Sequence, residues 1–265
     1  MLGGAGGLIE FKASLLASRG FAALALAYMD FEDLPEFPTV MDMDYFEEAA
    51  NWLSHHPKVI PNGIGVHAMC FGSWIALLMA SLNMKAVKTV VAVSPVITTW
   101  LTPFTYKGKI SKARSFENQQ HVTIPEGAIL RFGHSPVTSH KAPISRNSLL
   151  SPVENISCPV LMVYGTDDLC IHPEFSVLYT QNALRNIGRE HLCSVLCYWN
   201  AGHLIEPPYT PHCYACYMHH FGKWKGHYHL VWGGEMKCHA RAQEDAWPKI
   251  LTFLQKHLET VKSKL

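Results

Sequence analysis

Three residues far apart in the chain have the side chains of a nucleophilic relay: Cys70, Asp168 and His203. A thiolate attacks a carbonyl carbon, an imidazole takes and returns the proton, and a carboxylate orients the imidazole and stabilises its charged form. Cys70 stands in Ala68-Met69-Cys70-Phe71-Gly72, between the strand-like run "GIGVHAM" and the helix formers "SWIALLMASL". A strand that turns sharply into a helix lifts one side chain above a sheet. Such elbows usually carry Ser in G-x-S-x-G, and here the residue is Cys. The helix beginning near Gly72 directs its positive dipole end at a thiolate, and Gly72 leaves room for the turn. A single Cys in an apolar run is ordinarily a core residue; the two later partners, each at a strand end, favour the chemical reading. Asp168 ends "CPVLMVYGTDD", where Asp167 is its neighbour and either acid could cap the next helix. His203 lies in "NAGHLIEPPY", which Asn200, Gly202 and two prolines make a poor core segment.

These residues need a scaffold that gathers distant loops. "EFKASLLASRG" reads as a helix ended by Gly20, and "FAALALAY" as a buried parallel strand. "MDYFEEAANWLSHHP" has Phe46, Ala49, Ala50 and Leu53 at helical spacing. "VKTVVAVSP", "CPVLMVYG" and "CSVLCYW" read as strands, and "HPEFSVLYTQNALRNIG" as a helix. "AQEDAWPKILTFLQKHL" reads as a closing helix with Pro248 near its start. Residues 97–155 have less periodicity and read as an excursion over the sheet, either a lid or a plain surface loop. Alternating strands and helices predict one α/β domain over 1–265, a mostly parallel sheet covered on both faces. In such a sheet the loops at the carboxyl ends of strands converge on one crevice. Nucleophile, acid, base is also the chain order of the α/β-hydrolase triad.

Composition excludes several classes. The formal net charge is +1 with no basic block, so nucleic-acid binding has no electrostatic support. No apolar run approaches the roughly 20 residues of a membrane span. The eight cysteines have no framework spacing and read as reduced thiols of an intracellular protein. His212, Cys213, Cys216, His219 and His220, with Cys238 and His239 later, include one C-x-x-C but no second pair; a zinc site is the weaker reading and no metal is assigned. The terminal Ser263-Lys264-Leu265 reads as a peroxisomal import address.

Beyond these motifs, the chain resembles the C-terminal catalytic domain shared by acyl-CoA thioesterases and bile acid-CoA:amino acid N-acyltransferase. "GLIEFKASLLASRGFAALALAYMDFEDLP", "AGHLIEPPY" and "WGGE…HARAQEDAW" carry the likeness. The resemblance implies an acyl-CoA substrate, no metal or redox cofactor, and Cys70, Asp168 and His203 as the triad, with Asp168 preferred to Asp167. It implies an oxyanion hole from the Phe71 amide and the N-terminal glycine loop at Gly6. Within the family, Cys at the nucleophile goes with conjugation to an amine such as glycine or taurine, and Ser with hydrolysis. Hydrolysis to free acid remains the alternative, and a non-catalytic acyl-CoA-binding protein a third. The resemblance also leaves two elements unaccounted for: the family's N-terminal β-sandwich, and the strand leading into "MLGGAGG". Without that strand, a gap with unpaired backbone is expected between "FAALALAY" and "GIGVHAM".

Overall fold

The computed structural model describes residues 3, 4, 6–97, 102–111, 121–124, 127–130, 150–221 and 224–259. In chain order the elements are α1 (Phe11–Ala17), β1 (Met41–Asp42), α2 (Met43–Ser54), β2 (Ile64–Met69), α3 (Phe71–Ser81), β3 (Val87–Val93), β4 (Phe104–Tyr106) and β5 (Lys109–Ile110). They continue with β6 (His121–Ile124), β7 (Gly127–Leu130), β8 (Val160–Gly165), α4 (Pro173–Arg185), β9 (Cys193–Tyr198), β10 (Ala215–Phe221), β11 (Trp224–Val231) and α5 (Met236–Leu258).

The central sheet has the order β2-β3-β8-β9, and every pairing in it is parallel. The edge strand β9 stays partly exposed, but the central strands β3 and β8 are buried on both faces, which is why they read as unbroken apolar runs rather than alternating ones. The pleat divides them. Val90, Ala92, Val160 and Met162 join one core with Phe46 of α2, Trp74 and Leu77 of α3 and Phe175 of α4. Val91, Val93, Leu161 and Val163 face the other core with Ala246, Trp247, Ile250 and Leu254 of α5. Each of these fully buried aliphatic side chains is worth about 1.5–3 kcal/mol. All eleven residues of α3 are buried, so it is apolar around its whole circumference. Helix α2 shows the opposite pattern: Met43, Phe46 and Ala50 face inward, and the Asp42 carboxylate caps it by accepting from the Asp44 N–H at 3.0 Å.

Four sequence readings need correction or completion. "FAALALAY" is not a ladder strand; residues 21–28 carry no strand assignment, and β2 is the terminal strand of its sheet. A cleft of about 440 Å³ separates Phe21–Leu26 from Gly63–His67, roofed by Ala49 and Leu53 of α2 and closed by Leu254 and Leu258 of α5. It occupies the position of the expected gap, and among the described residues no strand pairs with the 21–28 run. Pro248 is not near a helix start. Helix α5 begins at Met236, capped by the Glu235 carboxylate on the Lys237 and Cys238 amides, so Pro248 is interior. It faces solvent, as does Glu244 one turn earlier, whose carbonyl proline leaves without its helical partner on the exposed side of the helix. The antiparallel pair β10–β11, anticipated by none of the strand readings, extends through β7 and β6 into a second four-stranded sheet. Of the 97–155 excursion, residues 98–101, 112–120, 125–126 and 131–149 lie outside the described residues; the described part supplies the short pairs β1–β4 and β4–β5.

Candidate active site

Cys70 lies between β2 and α3 with φ 53° and ψ −124°. Holding a non-glycine residue there costs on the order of 1–3 kcal/mol and persists only where the surroundings enforce it. Its N–H donates to the Val93 carbonyl at 2.9 Å, which fixes it to β3. Its carbonyl accepts the Ser73 N–H at 2.8 Å and the Ser73 hydroxyl at 2.5 Å. The Ser73 oxygen in turn accepts the Val96 N–H at 3.0 Å. The elbow is therefore tied to the next strand and to the first turn of α3 at once. The Cys70 side chain stays partly exposed. Cys170, whose backbone also borders the site, is buried, and burial first, then the Cys70 and Asp168 charges, push its thiol pKa well up. The accessible thiol at the site is Cys70.

Asp168 follows β8. One carboxylate oxygen lies 2.7 Å from His203 Nδ1; the other accepts the Cys170 and Ile171 amides at 2.9 and 3.0 Å. Asp167 is spent elsewhere: it accepts the Gly234 N–H at 2.9 Å. The two acids that the sequence leaves equivalent thus have different partners. A carboxylate with two backbone donors on one oxygen has the other aimed at a single target, which keeps the His203 ring oriented.

His203 is wholly buried, with Nδ1 on Asp168 and Nε2 left without an oxygen or nitrogen partner. Burial works to lower its pKa, but the Asp168 carboxylate and then the Cys70 thiol outweigh it and raise the value to about 10. The Asp168 carboxylate thus stabilises the imidazolium that forms when the ring takes a proton. The imidazole stacks on Trp232 with ring centres 5.1 Å apart and planes 16° apart, an electron-rich face for the charged form. The His203 backbone N–H donates to the Trp232 carbonyl at 2.9 Å, and its backbone carbonyl accepts the Ser94 hydroxyl at 2.6 Å.

Three loops meet here with almost no space between their backbones. A Cβ on Gly202 would lie 2.3 Å from the Gly233 carbonyl oxygen. Gly233 has φ +75°, and a Cβ there would lie 2.1 Å from the Asp167 carbonyl oxygen. Glycine at both positions lets the acid loop, the base loop and the 232–235 turn touch.

Phe71 opens α3, so its amide has no acceptor within the helix and points to the elbow end. The N-terminal glycine loop is tied down by Gly7 N–H on the Met29 carbonyl at 2.9 Å and by the buried Tyr28 hydroxyl on the Gly3 carbonyl at 2.7 Å. Gly6 packs on Asp30. The glycine of this loop that lies against Cys70 is Gly3, where an added Cβ would come within 2.8 Å of the Cys70 Cβ. Gly3, Ser94 and Trp232 are site residues that chemistry-bearing spacing does not flag, and His239, named there only beside the weaker zinc reading, belongs to the site as well; "WGGE…HARAQEDAW" holds Trp232 and His239 as likeness. Two members of the cysteine and histidine cluster have partners at the site. Cys216 accepts the Trp232 indole N–H at 3.3 Å, and His212 lies against His239. Among the described residues, no group of three or more His, Cys, Asp or Glu side chains is arranged to hold a metal.

The family model for the BAAT / acyl-CoA thioester hydrolase C terminal matches residues 41–260. The chain belongs to this family. It is 40% identical over 258 residues to the human bile acid-CoA:amino acid N-acyltransferase, covering 97% of this chain and 59% of that protein. To the mouse peroxisomal succinyl-coenzyme A thioesterase it is 33% identical, with 98% and 59% covered. It thus spans about 60% of the length of these BAAT-family relatives. Among solved structures, the α/β hydrolase GrgF from Penicillium sp. sh18 superposes with a TM-score of 0.56 at 15% identity, covering 97% of this chain and 88% of that one. At that identity the likeness concerns the fold, and it is an α/β-hydrolase fold, as the sequence predicts. No helix among the described residues is long and apolar enough to cross a membrane.

Proposed function

We propose that this domain transfers the acyl group of an acyl-CoA through Cys70 to an amine, forming an N-acyl amino acid with glycine or taurine. The observation that carries the reading is a thiol, not a hydroxyl, on a strained elbow whose neighbouring histidine is held by Asp168 at 2.7 Å. The Cys70 thiolate adds to the thioester carbonyl, and CoA leaves with the proton of the His203 imidazolium. The amine then adds to the acyl-cysteine, gives its proton to His203, and the Cys70 thiolate departs. The oxyanion formed in each step would be met by the Phe71 amide and by the glycine loop; Gly6 is the loop donor that the family resemblance implies, and Gly3 the loop glycine against Cys70. Sulfur donates weakly into the carbonyl and leaves readily, so a thioester intermediate reacts with amines far more readily, relative to water, than an oxygen ester does. Neither step needs a metal or redox cofactor.

Hydrolysis is the second reading, favoured by the similarity to the mouse thioesterase; water then replaces the amine. Purified protein incubated with long-chain and bile acyl-CoAs, with and without glycine or taurine, separates the readings by CoA release and conjugate yield. Conjugate supports transfer, free acid alone at saturating amine supports hydrolysis, and acyl-CoA binding without CoA release supports a non-catalytic role. Ser263-Lys264-Leu265 lies outside the described residues. We read it as the ligand of the peroxisomal import receptor, a reading supported by the similarity to the mouse peroxisomal succinyl-coenzyme A thioesterase. A tagged chain with a free C-terminus should form puncta with peroxisomal markers, and a diffuse cytosolic signal would refute it.

A further inference from the structure

His239 lies in the first turn of α5, is 2% exposed, and does not touch the Cys70–His203–Asp168 relay through its own charge. Its ring nevertheless makes two hydrogen bonds to the segment that carries the base. Nδ1 accepts the Gly202 N–H at 3.0 Å, and Nε2 donates to the Leu204 carbonyl at 2.8 Å. These two backbone groups flank His203 on either side. The backbone of His203 itself is held by Trp232 and Ser94. The base therefore sits in a segment braced at three consecutive residues, and both flanking bonds end on one side chain.

Only one form of His239 fits both bonds. Nδ1 must offer a lone pair to the Gly202 N–H, and Nε2 must carry the hydrogen that Leu204 receives. The imidazolium would set a second N–H against that of Gly202. Burial holds the ring neutral, opposed by the Leu204 bond and reinforced by His212, whose ring centre is 4.8 Å away. The carboxylate of the cap residue Glu235, one turn before it, is occupied by the Lys237 and Cys238 amides. The fit is close: a Cβ on Gly234 would lie 3.0 Å from His239 Nδ1.

We propose that His239, as its neutral Nε2–H tautomer, is the positioning residue that sets the His203 ring between Asp168 and Cys70. This rests on reading His203 as the base of Cys70. The test compares His239→Leu, which strands the Gly202 N–H and the Leu204 carbonyl, with His239→Gln, whose amide again supplies one acceptor and one donor.

Two readouts are needed. The first is kcat and KM for acyl-CoA. The second is the pH profile of Cys70 alkylation by iodoacetamide, which reports the thiolate–imidazolium pair without any turnover. His239→Leu should lower kcat by about 10²-fold, the cost of displacing a catalytic group by about 1 Å. Its KM should change little, and its alkylation profile should shift toward higher pH. His239→Gln should recover most of both. Wild-type kcat and alkylation in His239→Leu would overturn the proposal. Equal losses in the Leu and Gln variants, matched by equal losses in melting temperature, would overturn it in favour of simple packing. His203→Ala serves as the control. If it leaves the alkylation profile unchanged, the base assignment fails and this proposal with it. If it shifts the profile while His239→Leu does not, the positioning role alone fails.

Discussion

Asp168→Asn is the substitution whose outcome follows most tightly from the geometry. The asparagine oxygen can still accept the Cys170 and Ile171 amides, so the loop after β8 keeps its shape. The other arm changes from acceptor to donor. Its NH2 would meet His203 Nδ1 at 2.7 Å and force that nitrogen to accept, leaving the hydrogen on Nε2, the atom that must take the thiol proton. The fold survives while the base is locked in the wrong tautomer. Such a change costs about 10⁴-fold in kcat, or roughly 5.5 kcal/mol of barrier at about 1.4 kcal/mol per factor of ten. Loss of the carboxylate also removes the largest influence that raises the His203 pKa, so Cys70 alkylation should move to higher pH. Asp167→Asn is the matched control: its oxygen can keep the Gly234 amide, and activity should stay within about threefold. The assay is steady-state CoA release, with folding checked by circular dichroism. A loss smaller than about tenfold in Asp168→Asn, or a larger loss in Asp167→Asn, would refute the assignment of the orienting acid.

Three further outcomes follow from other parts of the molecule. Lys12 on α1 pairs with Glu206, just after the base loop, at 2.7 Å with both side chains at most 10% exposed; Lys12→Met should destabilise by about 3–5 kcal/mol in denaturant unfolding, and Glu206→Leu added to it should restore most of that, whereas an exposed-pair cost below about 1 kcal/mol would contradict the buried reading. In Cys70→Ala, where no thiol proton moves with it, His203 still has its folded-state pKa raised against burial by the Asp168 carboxylate, so the native protein holds a proton that the unfolded chain releases above about 6.5; this stabilisation is complete below pH 6.5 and is lost as pH rises through the raised value, and a pH-independent unfolding free energy above 6.5 in that variant would count against the Asp168–His203 ion pair. The cleft beside β2 should accept a strand: fusing to the N-terminus the ten or so residues that precede the matched region in the human relative should raise the melting temperature, at about 2–4 °C per kcal/mol gained, and an unchanged value would show that the cleft does not take it.

The sequence made the parallel sheet legible because its central strands β3 and β8 are buried on both faces, and continuous runs such as 87–93 have few other uses. It made the elbow legible because Cys70 interrupts a strand pattern directly before a helix pattern. Residues 21–28 show the limit of that logic. Their composition suits a strand, but a strand is a pairing, and the partner edge is a cleft. Helix α5 was read too short because Pro248 resembles a start signal, while the true start is set by the Glu235 carboxylate and by Gly233 and Gly234, whose φ values of +75° and +95° no pattern predicts. Asp167 and Asp168 are chemically equal in sequence, and only the direction of each side chain separates them. The sequence offers His239 only as a neighbour of the cysteine and histidine cluster, not as a brace for the base, because its partners there are backbone atoms, which carry no signature in residue type.

The most direct test of the central claim is the fate of the acyl group on Cys70. Wild type and Cys70→Ser should be given the same acyl-CoA at one fixed glycine or taurine concentration, with conjugate and free acid measured together and the acyl adduct followed by mass spectrometry. The account predicts an adduct on Cys70 in the wild type and a ratio of conjugate to free acid that falls in Cys70→Ser while some acyl-CoA cleavage persists. An undiminished ratio in Cys70→Ser would contradict the role assigned to sulfur, and full activity in Cys70→Ala would contradict the elbow itself.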